Sequence, residues 1–184
     1  ENVYDLLNPE AKPLSIREDV NGEVFVEDII EVPIDDYQQA VNLINAGLSN
    51  RVLGSQNINI VSSRSHTILN IDIRQTDMEG DQTTIFSRLS MVDLAGSERV
   101  RKTGSSGIRL EEAKAINSSL SALGNVIYSL TSGTNAHIPY RDSKLTRILQ
   151  GSLNGMSKIT LIGTISPTSA NFAETQSTLQ FALR

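Results

Sequence analysis

The chain has 184 residues, a net charge of −5, two histidines and no cysteine. That length makes one ordinary domain with a real core, and the missing thiols exclude a disulfide framework and any thiolate-built zinc site. No apolar run approaches the roughly 18 residues that span a bilayer, and the N-terminus carries no signal-peptide pattern, so no membrane segment and a cytosolic location are expected.

Two short alternating runs, Leu14 to Arg17 and Glu23 to Glu27, flank the turn signal Asn21-Gly22 and predict a β-hairpin. Ile34 to Leu48 places Tyr37, Val41, Ile44 and Leu48 at helical spacing behind Asp35. "HTILNIDIRQT" alternates Ile68, Asn70, Asp72 and Arg74 against Leu69, Ile71 and Ile73. With "TTIFSRLSMVDL" beyond the loop "DMEGDQ", it predicts an antiparallel pair of strands. A long helix is expected from about Leu110 to Leu130, through Ala113, Ile116, Leu120, Leu123 and Ile127. "RDSKLTRILQ" starts another, with Asp142 as N-cap. "ITLIGTIS" is apolar at nearly every position, as a strand buried on both faces would be, and a last helix begins near Ala173. The organisation is α/β, without repeats or a linker.

Chemistry concentrates in a few places. "SRLSMVDLAGSERV" runs from an apolar strand into an abrupt polar turn. Asp93 at that strand end suits a magnesium-bound water, because open sheets present ligands at their carboxyl ends. Gly96 lets a backbone N–H approach a phosphate oxygen. An ordinary strand-to-loop turn would read the same way. "NINIVSSRSH" packs three serines, an arginine and a histidine just before a strand, a costly cluster to bury unless something polar meets it. Its hydroxyls suit a hard cation and phosphate oxygens, and Arg64 suits a carboxylate. A catalytic Ser-His pair competes, but without a nucleophile-elbow sequence or a third member.

The total charge hides an asymmetry. Between Arg99 and Lys158 nine Lys/Arg stand against three Asp/Glu, a local +6 that leaves −11 on the remainder. A basic face on an acidic protein suggests an anionic partner, steered by charge and weakened by salt; a chance excess of solvated side chains is the alternative. Few aromatics are present to stack bases, which argues against nucleic acid.

Taken together, "SSRSH", "DLAGSE", "INSSLSALGNVI" and "IPYRDSKLTRILQ" closely resemble the kinesin motor domain, in order and spacing, from "VYDLLNPE" to "ETQSTLQFAL". The resemblance implies a P-loop NTPase fold of kinesin type, a central mixed β-sheet flanked by helices, and microtubule-stimulated ATP hydrolysis with Mg2+. It implies that Ser62 and Ser63 face the magnesium and the γ-phosphate, Ser63 as a ligand, and that Asn59 helps place the loop. Asp93 becomes an outer magnesium ligand, Gly96 the γ-phosphate sensor and Glu98 the partner of Arg64, while Asn117 lies close to the nucleotide. Arg141, Lys144 and Arg147 match contacts with acidic tubulin, and Arg99, Lys102 and His137 adjoin that surface, together with Arg101.

This sequence departs from the family pattern at Gln56, Ser118, Gly151 and Glu27, the last in a hairpin position that is often basic. It also lacks G-x-x-x-x-G-K-[ST], because none of its twelve glycines is followed by lysine. Residues 1–184 are therefore expected to be the C-terminal half of a motor domain, part of a longer protein, and insoluble or molten if expressed alone. Oligomerisation would rest on regions elsewhere. A non-hydrolysing microtubule-binding module that has lost its phosphate loop is the alternative function.

Overall fold

The computed structural model describes the chain except residues 9, 11, 59–64, 78–82, 97–107, 134–136 and 184; over 52–58 and 108–117 only the helical backbone is described. The order is β1 (Ile16–Glu18), β2 (Val24–Val26), α1 (Tyr37–Ile58), β3 (Thr67–Thr76), β4 (Thr84–Asp93), α2 (Ile108–Thr131), α3 (Lys144–Ile148) and α4 (Phe172–Ala182). The described strands form two antiparallel pairs, β1–β2 and β3–β4.

The Asn-Gly signal makes the expected hairpin. Ile16 faces Val26 and Glu18 faces Val24, and Gly22 takes φ +82°, a left-handed conformation that costs glycine nothing. Asp19 fastens the turn by accepting from the backbone N–H groups of Glu23 and Asn21 at 2.8 and 2.9 Å. Those bonds, the one from Glu23 foremost, hold its carboxyl below the usual carboxylate range.

Helix α1 starts later than its apolar pattern suggests, at Tyr37, because Asp36 rather than Asp35 caps it. The Asp36 carboxylate accepts from the Gln39 N–H at 2.7 Å, and the Gln39 side chain accepts in return from the Asp35 N–H at 3.0 Å. This reciprocal arrangement is close to a capping box and satisfies donors that a helix start leaves free. The N-terminal stretch is tied down by the buried Asp5 carboxylate, which accepts from the N–H groups of Leu7 and Ile30, each at 2.8 Å.

The strand pair β3–β4 runs in register from Thr67 opposite Asp93 to Thr76 opposite Thr84. One face is polar and closes on itself. Arg88 holds Asp72, directly opposite, with a second contact at 2.7 Å, Ser90 donates to Asn70 at 2.8 Å, and Arg74 lies over the Phe86 ring at 5.6 Å. The Arg88 guanidinium draws the Asp72 carboxyl below its ordinary value.

The core is built on α2. Leu123 and Val126 pack with Leu145, Leu149 and Leu153, and Ile68, Leu94, Ile138, Tyr140 and Phe181 gather around them. The Tyr140 hydroxyl donates to the Leu153 carbonyl at 3.2 Å, and burial raises its pKa. Helix α3 is capped by Ser143, not by Asp142, which lies in a 3-10 turn over Tyr140–Asp142. Ser143 accepts from the Thr146 N–H at 3.0 Å, and Thr146 Oγ1 accepts from the Ser143 N–H at 3.2 Å while lying 2.7 Å from the Tyr140 carbonyl. Serine wins because the 3-10 turn holds Asp142 one residue too early for its carboxylate to reach the third helical amide.

"ITLIGTIS" forms no strand. No described strand pairs with it, and Ile162 is 85% exposed. A strand buried on both faces needs neighbours on both edges for its backbone groups, and the described strands of this chain supply none.

Thr146 is fully buried, so Thr146→Val removes hydrogen bonds at nearly constant volume and leaves the Ser143 N–H unpaired. A loss of about 1–3 kcal/mol is expected, read as a lower urea midpoint with unchanged urea dependence.

Candidate functional site

The carboxyl end of β4 and the residues after it meet α1, the start of β3 and α2. Arg51 is the sole charged residue of the 22-residue α1. Its Nη1 donates to Asp93 Oδ2 at 2.8 Å and its Nη2 to the Ser65 carbonyl at 3.0 Å. The arginine side chain is 14% exposed and the aspartate 68%. The pair therefore points a fixed carboxylate outward from the strand end, an orientation that matters more than the modest energy of a half-exposed ion pair, about 1 kcal/mol or less.

Next to this pair, His66 ties three segments together. Its Nδ1 accepts from the Ala95 N–H at 3.0 Å, and its Nε2 lies 2.8 Å from Ser119 Oγ. A backbone amide can only donate, so Nδ1 carries no proton; the ring is neutral and Nε2–H donates to the serine. Burial is the main cause lowering the His66 pKa, opposed by the nearby Glu1 and Asp93 carboxylates and reinforced by Arg51. Ala95 and Ser119 are both buried.

The same geometry gives His66 and Ser119 no catalytic arrangement; Ser62 and Ser63 of the Ser-His cluster read from the sequence lie outside the described residues. A triad histidine donates from Nδ1 to a carboxylate and accepts at Nε2 from the nucleophile. Here both directions are reversed, and a buried serine offers no path to a substrate.

Of the residues expected to meet a nucleotide, the structure brings Asp93 and Gly96 to this corner, the latter half-buried directly after Ala95. Asn59, Ser62, Ser63, Arg64 and Glu98 lie outside the described residues, as do Arg99, Arg101 and Lys102; Asn117 lies on α2 with its side chain outside the description. Sequence reasoning missed Arg51 and Ser119. Arg51 was missed because the helix expected to end at Leu48 runs on to Ile58 and carries it. Ser119 was missed because its partner stands 53 residues away.

The basic surface differs from its expected form. Arg141 is not on a helix but in the preceding 3-10 turn, whereas Lys144 and Arg147 lie on α3. Arg141 reaches Glu18 of β1 at 3.0 Å, and Arg147 approaches the same carboxylate at 3.9 Å. Arg147 Nε is buried without a hydrogen-bond partner among the described residues. The backbone N–H of Lys144 donates to the Glu1 carboxylate, and His137 is exposed. Glu27, the acidic hairpin position, is paired with Arg17 at 3.0 Å.

The kinesin motor domain family model matches residues 1–184. The chain is 51% identical over 184 residues to the kinesin heavy chain of Botryotinia fuckeliana, covering all of itself and 21% of that protein. It is 48% identical to kinesin heavy chain isoform 5A of Homo sapiens, covering 18% of it. Among solved structures, a fast kinesin superposes with TM-score 0.88 at 49% identity, over 97% of this chain and 50% of that one. The motor and motor homology domain of Kar3Vik1 superposes at 0.84 and 36% identity, over 99% and 47%. The chain thus spans about a fifth of these curated relatives and half of these structures.

Because the folded pKa of His66 is depressed, the neutral ring is the form the fold holds. Its contribution is complete above the ordinary histidine value of about 6.5 and is lost as pH falls toward the depressed folded value. Amide-exchange protection at Ala95, corrected for intrinsic rate, should therefore drop as pH falls below about 6.5 and lose that pH dependence in His66→Gln.

Proposed function

Since the chain belongs to the kinesin motor domain family, we propose that it forms the nucleotide-sensing and microtubule-binding portion of an ATP-driven motor. The observation that carries this reading is the Asp93 carboxylate at the end of β4, held outward by Arg51 two residues before an amide that His66 ties to α2. A fixed strand-end carboxylate followed by a glycine turn is suited to a metal-bound phosphate, and α2 gives any movement of the turn a long lever.

The residues present fit a magnesium nucleotide. Asp93 offers hard, accessible oxygens, and the Gly96 backbone carries no side chain to block a phosphate. Magnesium, when bound, neutralises phosphate charge and orients the phosphate oxygens. Ser63 would hold it directly and Asp93 through water; Ser62, Ser63 and Asn59 would face the nucleotide. Gly96 would donate its N–H to the γ-phosphate, and Arg64 paired with Glu98 would orient the attacking water, with Asn117 alongside. Departure of the γ-phosphate would release the Gly96 turn and, through it, α2.

The phosphate cradle itself falls outside residues 1–184 in this reading, which we take as one part of a motor domain. Support comes from the missing G-x-x-x-x-G-K-[ST] and from the half-length match to solved kinesins. Arg141, Lys144 and Arg147, with Arg99, Lys102 and His137, would meet the acidic surface of tubulin. The setting is the cytoplasm, on the cytoskeleton, and oligomerisation would come from other regions.

Microtubule-stimulated ATP turnover of the full-length protein tests this reading, with Arg64→Ala alongside. Stimulated turnover that collapses in the variant while microtubule binding persists is the expected outcome; binding without turnover in the unmodified protein would leave a non-hydrolysing module. A second expectation concerns charge. Glu18→Gln frees Arg141 and Arg147 and should tighten microtubule binding about two- to fivefold at low salt, an advantage that shrinks as salt is added.

A further inference from the structure

We propose that His66 is a positioning residue that couples the nucleotide state read at Gly96 to helix α2, through its two simultaneous hydrogen bonds. This rests on the motor reading above and deepens it. The ring is a hydrogen-bonded connection between the phosphate-facing turn and the helix, beside the apolar contact that Leu94 makes with the α2 core. The Ala95 N–H it receives lies one peptide before the Gly96 N–H, and the Ser119 hydroxyl it reaches is buried on α2, four residues before the core residue Leu123.

The geometry makes the ring a rigid strut. Imidazole is planar and its two nitrogens point apart, so a displacement of the Leu94–Ala95 peptide, which carries the bonded N–H, must either rotate the ring against Ser119 or break one of the bonds. Both ends are dry, with Ala95 5% and Ser119 2% exposed, so water cannot readily replace the lost partner. The strut is also anchored at its base, because Arg51 holds the Ser65 carbonyl immediately before it. A shift at the turn is therefore passed to α2, and from α2 to the Leu145 and Leu149 packing beneath the basic surface.

Two substitutions separate the halves of the strut. His66→Asn keeps an acceptor near the position of Nδ1 and loses the reach to Ser119; Ser119→Ala keeps the ring and the Ala95 bond and removes the far partner. The measurement is made on the full-length protein. It is the ratio of microtubule affinities in a non-hydrolysable ATP analogue and in ADP, with amide exchange at Ala95 as a second readout. General destabilisation lowers both affinities together and leaves their ratio intact, whereas loss of coupling shrinks the ratio.

Each single variant should reduce the ratio by about three- to tenfold, the range of one buried hydrogen bond. The double variant should fall no further than either alone, since both remove the same link. In Ser119→Ala, exchange at Ala95 should also rise although its own acceptor remains. A nucleotide-sensitive parent whose Ser119→Ala variant keeps the full ratio overturns the coupling and leaves the motor reading intact. A parent whose microtubule affinity ignores the nucleotide overturns the motor reading and the coupling with it.

Discussion

Everything described here depends on how α2 is buried. Leu123 and Val126 pack against Leu145, Leu149 and Leu153, and this small core is what fixes α3, the turn before it and the beginning of β3 in one frame. Full burial of one such side chain contributes about 1.5–3 kcal/mol, more than a typical hydrogen bond. The apolar contact therefore decides where the helix lies, and the polar contacts decide what it is connected to. Ser119 is the clearest case: it stands one turn from Leu123, on the buried side, so the packing that holds the leucine also delivers the hydroxyl to His66.

Two arginine clusters show how the same charge serves opposite ends. Arg51 is mostly buried and makes a fork across Ser65 and Asp93, so its geometry is set by more than one acceptor. The planar guanidinium suits that task better than an ammonium would. Arg141 and Arg147 converge on a single carboxylate, Glu18, from a 3-10 turn and a helix. Both guanidinium groups are thereby held in place beside β1. The first arginine orients a carboxylate; the second pair ties α3 and the turn before it to β1.

Much of this was legible in the sequence wherever the determining contacts are local. Asn21-Gly22 specifies its turn because only a left-handed residue closes it, and the spacing from Leu110 to Leu130 finds α2 because one side of that helix is apolar. The α3 cap was misplaced by one residue, at Asp142 instead of Ser143, since sequence shows an eligible side chain but not the backbone angle that aims it. "ITLIGTIS" misled because continuous hydrophobicity reports a demand for burial, not the presence of partners. At the site, Asp93 and Gly96 were readable from a strand ending in a polar turn. Ser119 and the protonation of His66 were not, because both follow from contacts 29 and 53 residues apart.

The strand pair β3–β4 explains why these long-range contacts carry such weight. Its polar face is complete, with Asp72 and Arg88, Asn70 and Ser90, and Arg74 and Phe86 matched across the ladder. Its other face carries Leu69, Ile71, Ile73, Ile85, Leu89 and Met91, of which the last three and Ile73 are exposed. A two-stranded ribbon is marginal by itself and twists freely, so the ladder alone cannot fix where Asp93 points. The fixing is done at the ribbon's end, where Arg51 grips Asp93 from α1 and His66 fastens Ala95 to α2. The corner that carries Asp93 and Gly96 is thus positioned by Arg51, His66 and Ser119 rather than by the ladder that presents it. Such a corner can shift without unravelling the strands behind it.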